Sequence, residues 1–165
     1  MAITSYSALW FLPFVLPICF YVMFTDMAQM RITNQAVVVL AGVFVLIGLF
    51  AMPSLESYGW RLSHLAVMLL VGIALNAGGV MGAGDAKFIA AAAPFVALED
   101  ARTVIALLAA TLLAAFVTHR FAKHTPLRRL APDWVSWDKG KKFPMGLALG
   151  ATLALYLALG TLFGA

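Results

Sequence analysis

Long apolar stretches separated by short polar segments dominate the pattern of this 165-residue chain. Residues 1–25 contain no charged side chain, and five later windows contain no Asp, Glu, Lys or Arg. A bilayer core is crossed by a helix of about 20 apolar residues. Because lipid offers backbone polar groups no other partner, each window is expected to be helical. The predicted helices cover residues 8–25, 35–52, 62–80, 88–98, 103–118 and 143–165.

The fourth predicted helix is the weakest of the six. It has only 11 residues between Lys87 and Glu99, and it contains Pro94. Proline lacks a backbone N–H and disrupts a helix interior. This segment therefore either crosses as a short span or re-enters on one side. The predicted fold is an all-α integral membrane protein, with about six transmembrane helices in one membrane-embedded domain, residues 1–165.

The composition excludes a water-soluble globular domain, a disordered chain and a disulfide scaffold. The residues are 64% hydrophobic and only 11% charged, and the mean hydropathy is +0.98. Soluble domains are about half apolar and roughly a quarter charged. The single cysteine, Cys19, excludes an intrachain disulfide and a multi-cysteine zinc site, and is expected to be a buried thiol. The first span lacks a basic start and is expected to be retained.

The distribution of charge predicts the orientation of the chain. With six crossings and the N-terminus outside, nine of the eleven Lys and Arg residues lie in the loops 26–34, 81–87 and 119–142. The positive-inside rule then places these loops in the cytoplasm. A basic loop of this kind indicates contact with anionic lipid rather than nucleic acid. Trp134 and Trp137 in the long loop favour an interfacial anchor, with a substrate-docking surface as the alternative.

The last helix carries two small-xxx-small patterns, at residues 146–150 and 160–164. Glycines at this spacing let helix backbones approach closely. Residues 90–93, all alanine, give the fourth helix the same property. The sequence leaves open whether this packing is within one chain or between chains.

Two acids, Asp26 and Asp85, stand out because they adjoin apolar spans, where ionisable groups are costly. The second and third helices form one hairpin, so the loops that follow Asp26 and contain Asp85 emerge on the same side. The other acids are interpreted as exposed loop charges or as partners of the basic loop: Glu56, Glu99, Asp100, Asp133 and Asp138.

Asp26 and Asp85 satisfy one condition for a catalytic carboxylate pair. At 4 Å and an effective dielectric near 20, two carboxylates repel by about 4 kcal/mol. That is roughly three pK units, so one holds a proton while the other stays ionised. Such a pair can activate water and protonate a leaving amine. Gly82 and Gly84 are expected to adopt unusual backbone angles and to let a substrate backbone approach Asp85. The alternative is two juxtamembrane acids beside a simple turn.

Three blocks resemble the prepilin peptidases, a family of intramembrane GxGD-type aspartic proteases. Residues 26–34 are similar to the first-aspartate motif and residues 82–87 to the second. Residues 143–146 open the last helix as a Pro-aromatic-Gly block does in the family. Thr33 stands where Pro is usual, and Met145 where an aromatic residue is usual. The chain looks most like the short Tad/Flp-pilus branch, which lacks the methylation region.

The resemblance implies roles for nine residues. Asp26 and Asp85 become the catalytic pair. Motif or substrate-binding roles fall to seven others: Gly82, Gly84, Lys87, Arg31, Asn34, Pro144 and Gly146. Of these, Lys87 is expected either to position Asp85 or to contact lipid phosphate. The implied reaction needs no metal and no cofactor.

The function implied by the resemblance is an aspartic endopeptidase of the inner membrane, with its active site toward the cytoplasm. Its partner would be a pilin-like precursor with a basic leader and an apolar N-terminal helix. One alternative is a preflagellin-type or other GxGD protease. Another, from a different class, is a non-catalytic membrane subunit or ion-coupled transporter whose acids bind a cation or proton.

The remaining polar residues of the spans are given structural interpretations. His64 and His119 flank predicted spans, and both are expected at the membrane interface. Asn76, within the third helix, is expected to hydrogen-bond to a neighbouring helix.

Overall fold

The computed structural model describes residues 1–139 and 143–165, and these form six α-helices and no strand. The helices are α1 (Ser5–Gln29), α2 (Asn34–Ala51), α3 (Leu55–Ala77), α4 (Ala83–Ala92), α5 (Ala101–Lys123) and α6 (Met145–Phe163). The connections contain four 3-10 turns: Ala93–Phe95, Leu98–Asp100, Pro126–Leu130 and Val135–Trp137. The predicted all-helical membrane class is confirmed. Lys141 and Lys142, counted above in the long loop, lie outside the described residues.

Hydroxyl side chains fix where the first three helices begin. Thr4, Thr33 and Ser54 each precede a helix and accept a hydrogen bond from a backbone N–H in its first turn. Such caps satisfy donors that have no partner within the helix. Thr33, one of the two residues that depart from the family pattern, is thus the N-cap of α2.

The fourth helix is the element that departs most from the sequence prediction. Within the described part of the chain, five helical segments are long and apolar enough to cross a membrane, and α4 is not among them. It begins at Ala83, five residues earlier than predicted, so Asp85 lies in its first turn instead of a loop. It ends at Ala92 and is followed by the 3-10 turn Ala93–Phe95, whose second residue, Pro94, has no N–H with which to continue the α-helix. Ten α-helical residues span about 15 Å, half of a bilayer core.

Helix α6 packs along α1 through its glycines. A Cβ atom on Gly150 would lie 2.8 Å from Cγ of Met23, and one on Gly160 would lie 3.0 Å from Cβ of Ala8. The approach at Gly150 is closer than real side chains show and that at Gly160 is at the limit, so these small-xxx-small patterns serve packing within the chain. The same α1 interface buries Cys19, as expected.

Asp100 is a buried structural acid, which corrects its interpretation as an exposed loop charge. Its carboxylate accepts the backbone N–H groups of Ala2 and Ile3 and the hydroxyl of Tyr156, at 2.8–3.0 Å. Tyr156 lies on α6, so this acid ties the N-terminal segment to the last helix. Burial of a charge is compatible with folding when its oxygens are satisfied in this way. Glu99, beside it, is exposed as predicted.

Asn76 also differs from its prediction. Its side-chain amide donates to the carbonyl of Met81, 2.9 Å away in the connection that follows α3. The residue therefore closes a local turn and does not link two helices.

Candidate active site

Asp26 lies in the last turn of α1, where the chain reverses toward α2. The helix is capped at its C-terminal end by Met30, which adopts the left-handed conformation (φ 54°) and donates its N–H to the carbonyl of Asp26. A left-handed residue at this position is a common helix stop. The side chain of Asp26 is consequently held by a regular helix, and only 6% of the residue is exposed.

The carboxylate of Asp26 caps the start of α6. Its Oδ2 accepts the backbone N–H of Gly146 at 2.6 Å. The first N–H groups of a helix have no partner within it, and the N-terminal end attracts negative charge. Pro144, buried immediately before α6, contributes no N–H and no capping side chain. The first turn of α6 is therefore completed by an acid from another helix.

Only glycine fits at position 146, because the contact with Asp26 leaves no space for a side chain. A Cβ atom there would lie 2.9 Å from both Cβ and Oδ2 of Asp26. Real side chains do not pack this closely, so any other residue would displace the carboxylate or the helix.

Asp85 lies at the third position of α4, with Gly82 at the N-cap. Its Oδ2 would lie 2.8 Å from a Cβ on Gly82, so the side chain folds back over that glycine. Burial, together with the negative charge of Asp26, raises the pKa of Asp85 to about 6. Ile32 and Asn34, which follow Asp26 in the chain, contact Gly84 and Lys87 on either side of Asp85, so the two acids lie at the same end of the bundle.

The glycines of the second motif provide space rather than unusual backbone angles, which corrects that expectation. Gly82 has an extended conformation (φ −65°, ψ 145°), and Gly84 does not have a positive φ. Where Gly84 has no side chain, the buried Ile32 of the first loop packs at 3.4 Å from its Cβ position. The first loop therefore rests on the beginning of the helix that carries Asp85.

A second contact joins the two motifs. Lys87 donates from Nζ to Oδ1 of Asn34 over 3.1 Å. Lys87 is thus bound to the first residue of α2, and this contact with Asn34 was not among its expected roles. Arg31 is exposed in the first loop. Of the nine predicted site residues, Arg31 is the one that these contacts do not bring into the cluster.

An apolar groove leads away from the two acids. Its walls are α3 and α5, and its volume is about 510 Å³. Trp60 and Met68 line it on α3, Ile105 and Leu108 on α5, and Phe88 and Leu149 on the floor. Phe88 follows Asp85 by three residues on α4, and Leu149 follows Gly146 by three on α6. The end of the groove formed by Phe88 and Leu149 therefore lies within one helical turn of Asp85 on α4 and of Gly146 on α6.

Sequence reasoning missed an aromatic cluster beside this site. His119 is 4% exposed, and its ring stacks on Trp137 at 4.9 Å between centroids. Trp137 is itself buried, which corrects its interpretation as an anchor in the headgroup region. The exposed leucines of this loop, Leu127 and Leu130, remain available for that role. The sequence does carry a signal for this cluster, because aromatic residues lie on both sides of the basic loop.

Comparison with known proteins identifies the family. The model of the type IV leader peptidase family matches residues 13–119, well over half of the chain. The chain belongs to the type IV leader peptidase family. The matched residues include Asp26, Asp85 and the first loop, but not Pro144 or Gly146. Comparison with curated proteins and with solved structures gave no match.

Family membership supplies the general activity. The protein is a peptidase, a hydrolase of peptide bonds, and its long apolar helices make it a multi-pass membrane protein. Leader peptidases of this family act on prepilin-like substrates. The expectation of a prepilin peptidase-like protein is confirmed at this level.

Proposed function

We propose that this leader peptidase is an aspartic endopeptidase that removes the leader from Tad/Flp-type prepilin-like precursors. Asp26 and Asp85 form the catalytic pair, and cleavage takes place at the cytoplasmic face of the inner membrane. The substrate carries a basic leader followed by an apolar helix. The excess of Lys and Arg in the loops at the same end as the acids supports this orientation.

The observation that carries the proposal is that the two family-like motifs, and with them Asp26 and Asp85, meet at one end of the bundle through the contacts of Ile32 with Gly84 and of Asn34 with Lys87. The charge of Asp26 contributes to the raised pKa of Asp85, about 6, at the end of the bundle where both family-like motifs meet. Strongly shifted acids with a specific charged neighbour are typical of catalytic sites. The alternative of two exposed acids beside a simple turn does not account for the burial of Asp26, which is 6% exposed.

The proposed chemistry divides the work between the two carboxyl groups. Oδ2 of Asp26 is occupied by the Gly146 N–H, so Oδ1 takes a proton from water as the water oxygen attacks the scissile carbonyl carbon. Protonated Asp85 donates its proton to that carbonyl oxygen. The proton held by Asp26 then passes to the departing nitrogen as the C–N bond breaks, and Asp85 recovers its proton from the collapsing hydroxyl.

The groove between α3 and α5 fits the apolar helix of the precursor. The cleaved bond of such a precursor immediately precedes that helix, so the helix has to begin beside the acids. The groove satisfies this requirement, because it ends one turn from Asp85 and Gly146 and its walls are apolar. Its α3 wall from Trp60 to Met68 is about 12 Å long, which corresponds to about two turns of substrate helix.

Processing of a precursor in cells tests the proposal. The chain is co-expressed with a panel of Tad/Flp-type precursors, and each precursor's N-terminus is read by mass spectrometry. Wild type should remove the leader, whereas Asp26→Asn and Asp85→Asn should not, at matched membrane levels. Glu56→Gln, which alters an exposed acid, is the control and should process normally. Processing by both Asn variants would overturn the proposal.

A further inference from the structure

Six aromatic rings form a continuous row beside the proposed catalytic site. Phe24 contacts Trp134, Trp134 stacks on Trp137, and Trp137 stacks on His119. His119 then meets Phe143 edge-on, and Phe143 contacts Phe116. Neighbouring centroids are 4.9–6.0 Å apart, which is the range of favourable aromatic pairs.

The row connects the two sides of one hydrogen bond. Phe24 lies on α1, two residues before Asp26. Phe143 lies three residues before Gly146, whose N–H donates to that acid. The first turn of α6 has no side-chain cap of its own. Its position relative to Asp26 therefore depends on the packing of Gly146 and Gly150 against α1 and on what holds the residues that precede it.

The loop that supplies the two tryptophans is internally fixed. Nε1 of Trp137 donates to the carbonyl of Ala131 at 2.8 Å. Arg128 and Asp138 form an ion pair at 2.9 Å, which closes the same loop on its exposed side. Trp137 is therefore a rigid partner for His119 rather than a mobile surface ring.

We propose that His119 and Trp137 are positioning residues, which hold Phe143 and thereby keep the Gly146 N–H directed at the Asp26 carboxylate. The inference rests on the proposed function for its consequence in catalysis, but the positioning itself is independent of it. His119 holds Phe143 through ring packing and not through a hydrogen bond from Nε2, since this buried atom has no partner among the described residues. A phenyl ring at this position should therefore substitute for the imidazole.

Two measurements on purified protein in detergent test the proposal. In the first, the amide proton of Gly146 is followed by NMR with glycine labelled with ¹⁵N. A short hydrogen bond to a carboxylate should shift this proton downfield, and His119→Ala should move it upfield. His119→Phe should preserve the wild-type position. Phe121→Ala, which removes an exposed ring of α5 outside the row, is the matched control and should also preserve it.

In the second measurement, cleavage of a precursor gives kcat and KM separately. His119→Ala should lower kcat between about tenfold and a hundredfold and leave KM nearly unchanged, because misplacing a catalytic group acts on the chemical step. His119→Phe should retain kcat. An unmoved Gly146 resonance in folded His119→Ala would overturn the positioning role, and so would loss of that resonance position in His119→Phe. Absence of cleavage by wild type, with the NMR result intact, would instead count against the proposed function.

Discussion

Gly146 donates its backbone N–H to Oδ2 of Asp26 over 2.6 Å, although the two residues are 120 positions apart in the sequence. This contact fastens the start of the last helix to the end of the first. It also fixes one carboxylate oxygen of Asp26, whereas the other has no hydrogen bond within residues 1–139 and 143–165 and can act on water. The proposed chemistry depends on it, because a carboxylate held on a rigid element is a better positioned base.

Replacing Gly146 by Ala should abolish most of the activity. The new Cβ would lie 2.9 Å from Oδ2 of Asp26, so the carboxylate has to move. The rate of precursor cleavage should fall on the order of a hundredfold. Gly42→Ala is the matched control, since a Cβ at that helical glycine meets nothing within 4 Å. Equal cleavage rates for the two variants would show that the close approach is dispensable.

Cleavage should depend on pH through the proton of Asp85. This proton is needed for donation to the carbonyl oxygen, and burial with the charge of Asp26 raises the pKa of Asp85 to about 6. As pH rises through that value the protonated fraction falls, so kcat/KM should decline about tenfold per pH unit on the alkaline side. Measurements of kcat/KM from about pH 5 to about pH 8 test this alkaline decline. A rate that rises steadily across this range would contradict the role assigned to Asp85.

Blocking the groove should impair substrate binding more than chemistry. Ile105→Trp places a large ring in the groove between α3 and α5 and should raise KM for the precursor with little change in kcat. Leu113→Trp is the matched control on the same helix, because it does not line the groove and is as exposed (66% against 67%). If both variants bind and cleave the precursor as wild type does, the substrate helix lies elsewhere.

Asp100 should matter for stability and not for cleavage. Asp100→Asn replaces an acceptor of three donors by a group with only one acceptor oxygen. Leaving a buried donor unsatisfied costs about 1–3 kcal/mol, or several degrees in Tm. Thermal unfolding in detergent measures the loss, with Glu99→Gln as the exposed neighbouring control. A normal Tm would refute the structural role, and loss of cleavage well below Tm would indicate a catalytic one.

The sequence predicts the elements of the site better than their contacts. The hairpin of the second and third helices can be predicted from hydropathy alone, and it brings Asp26 and Asp85 to one end of the molecule. The Gly146 N–H could not be predicted as a partner of Asp26, since a backbone donor leaves no mark in the sequence. The charge-free window predicts a fifth helix that ends at residue 118, and His119, which flanks it, is therefore expected at the membrane interface. Cations in a last turn are favourable there, so α5 continues through them.

The most direct test of the catalytic pair is the titration of Asp85 in the presence and absence of its neighbour. Aspartate labelled with ¹³C at the carboxyl carbon is incorporated into wild type and Asp26→Asn, and the Asp85 signal is assigned by its loss in Asp85→Asn. Wild type should titrate near pH 6, and Asp26→Asn should titrate at lower pH, though still above 3.8 because burial remains. The same pKa in both proteins would mean that the two carboxylates do not act on one another, which would contradict the paired mechanism.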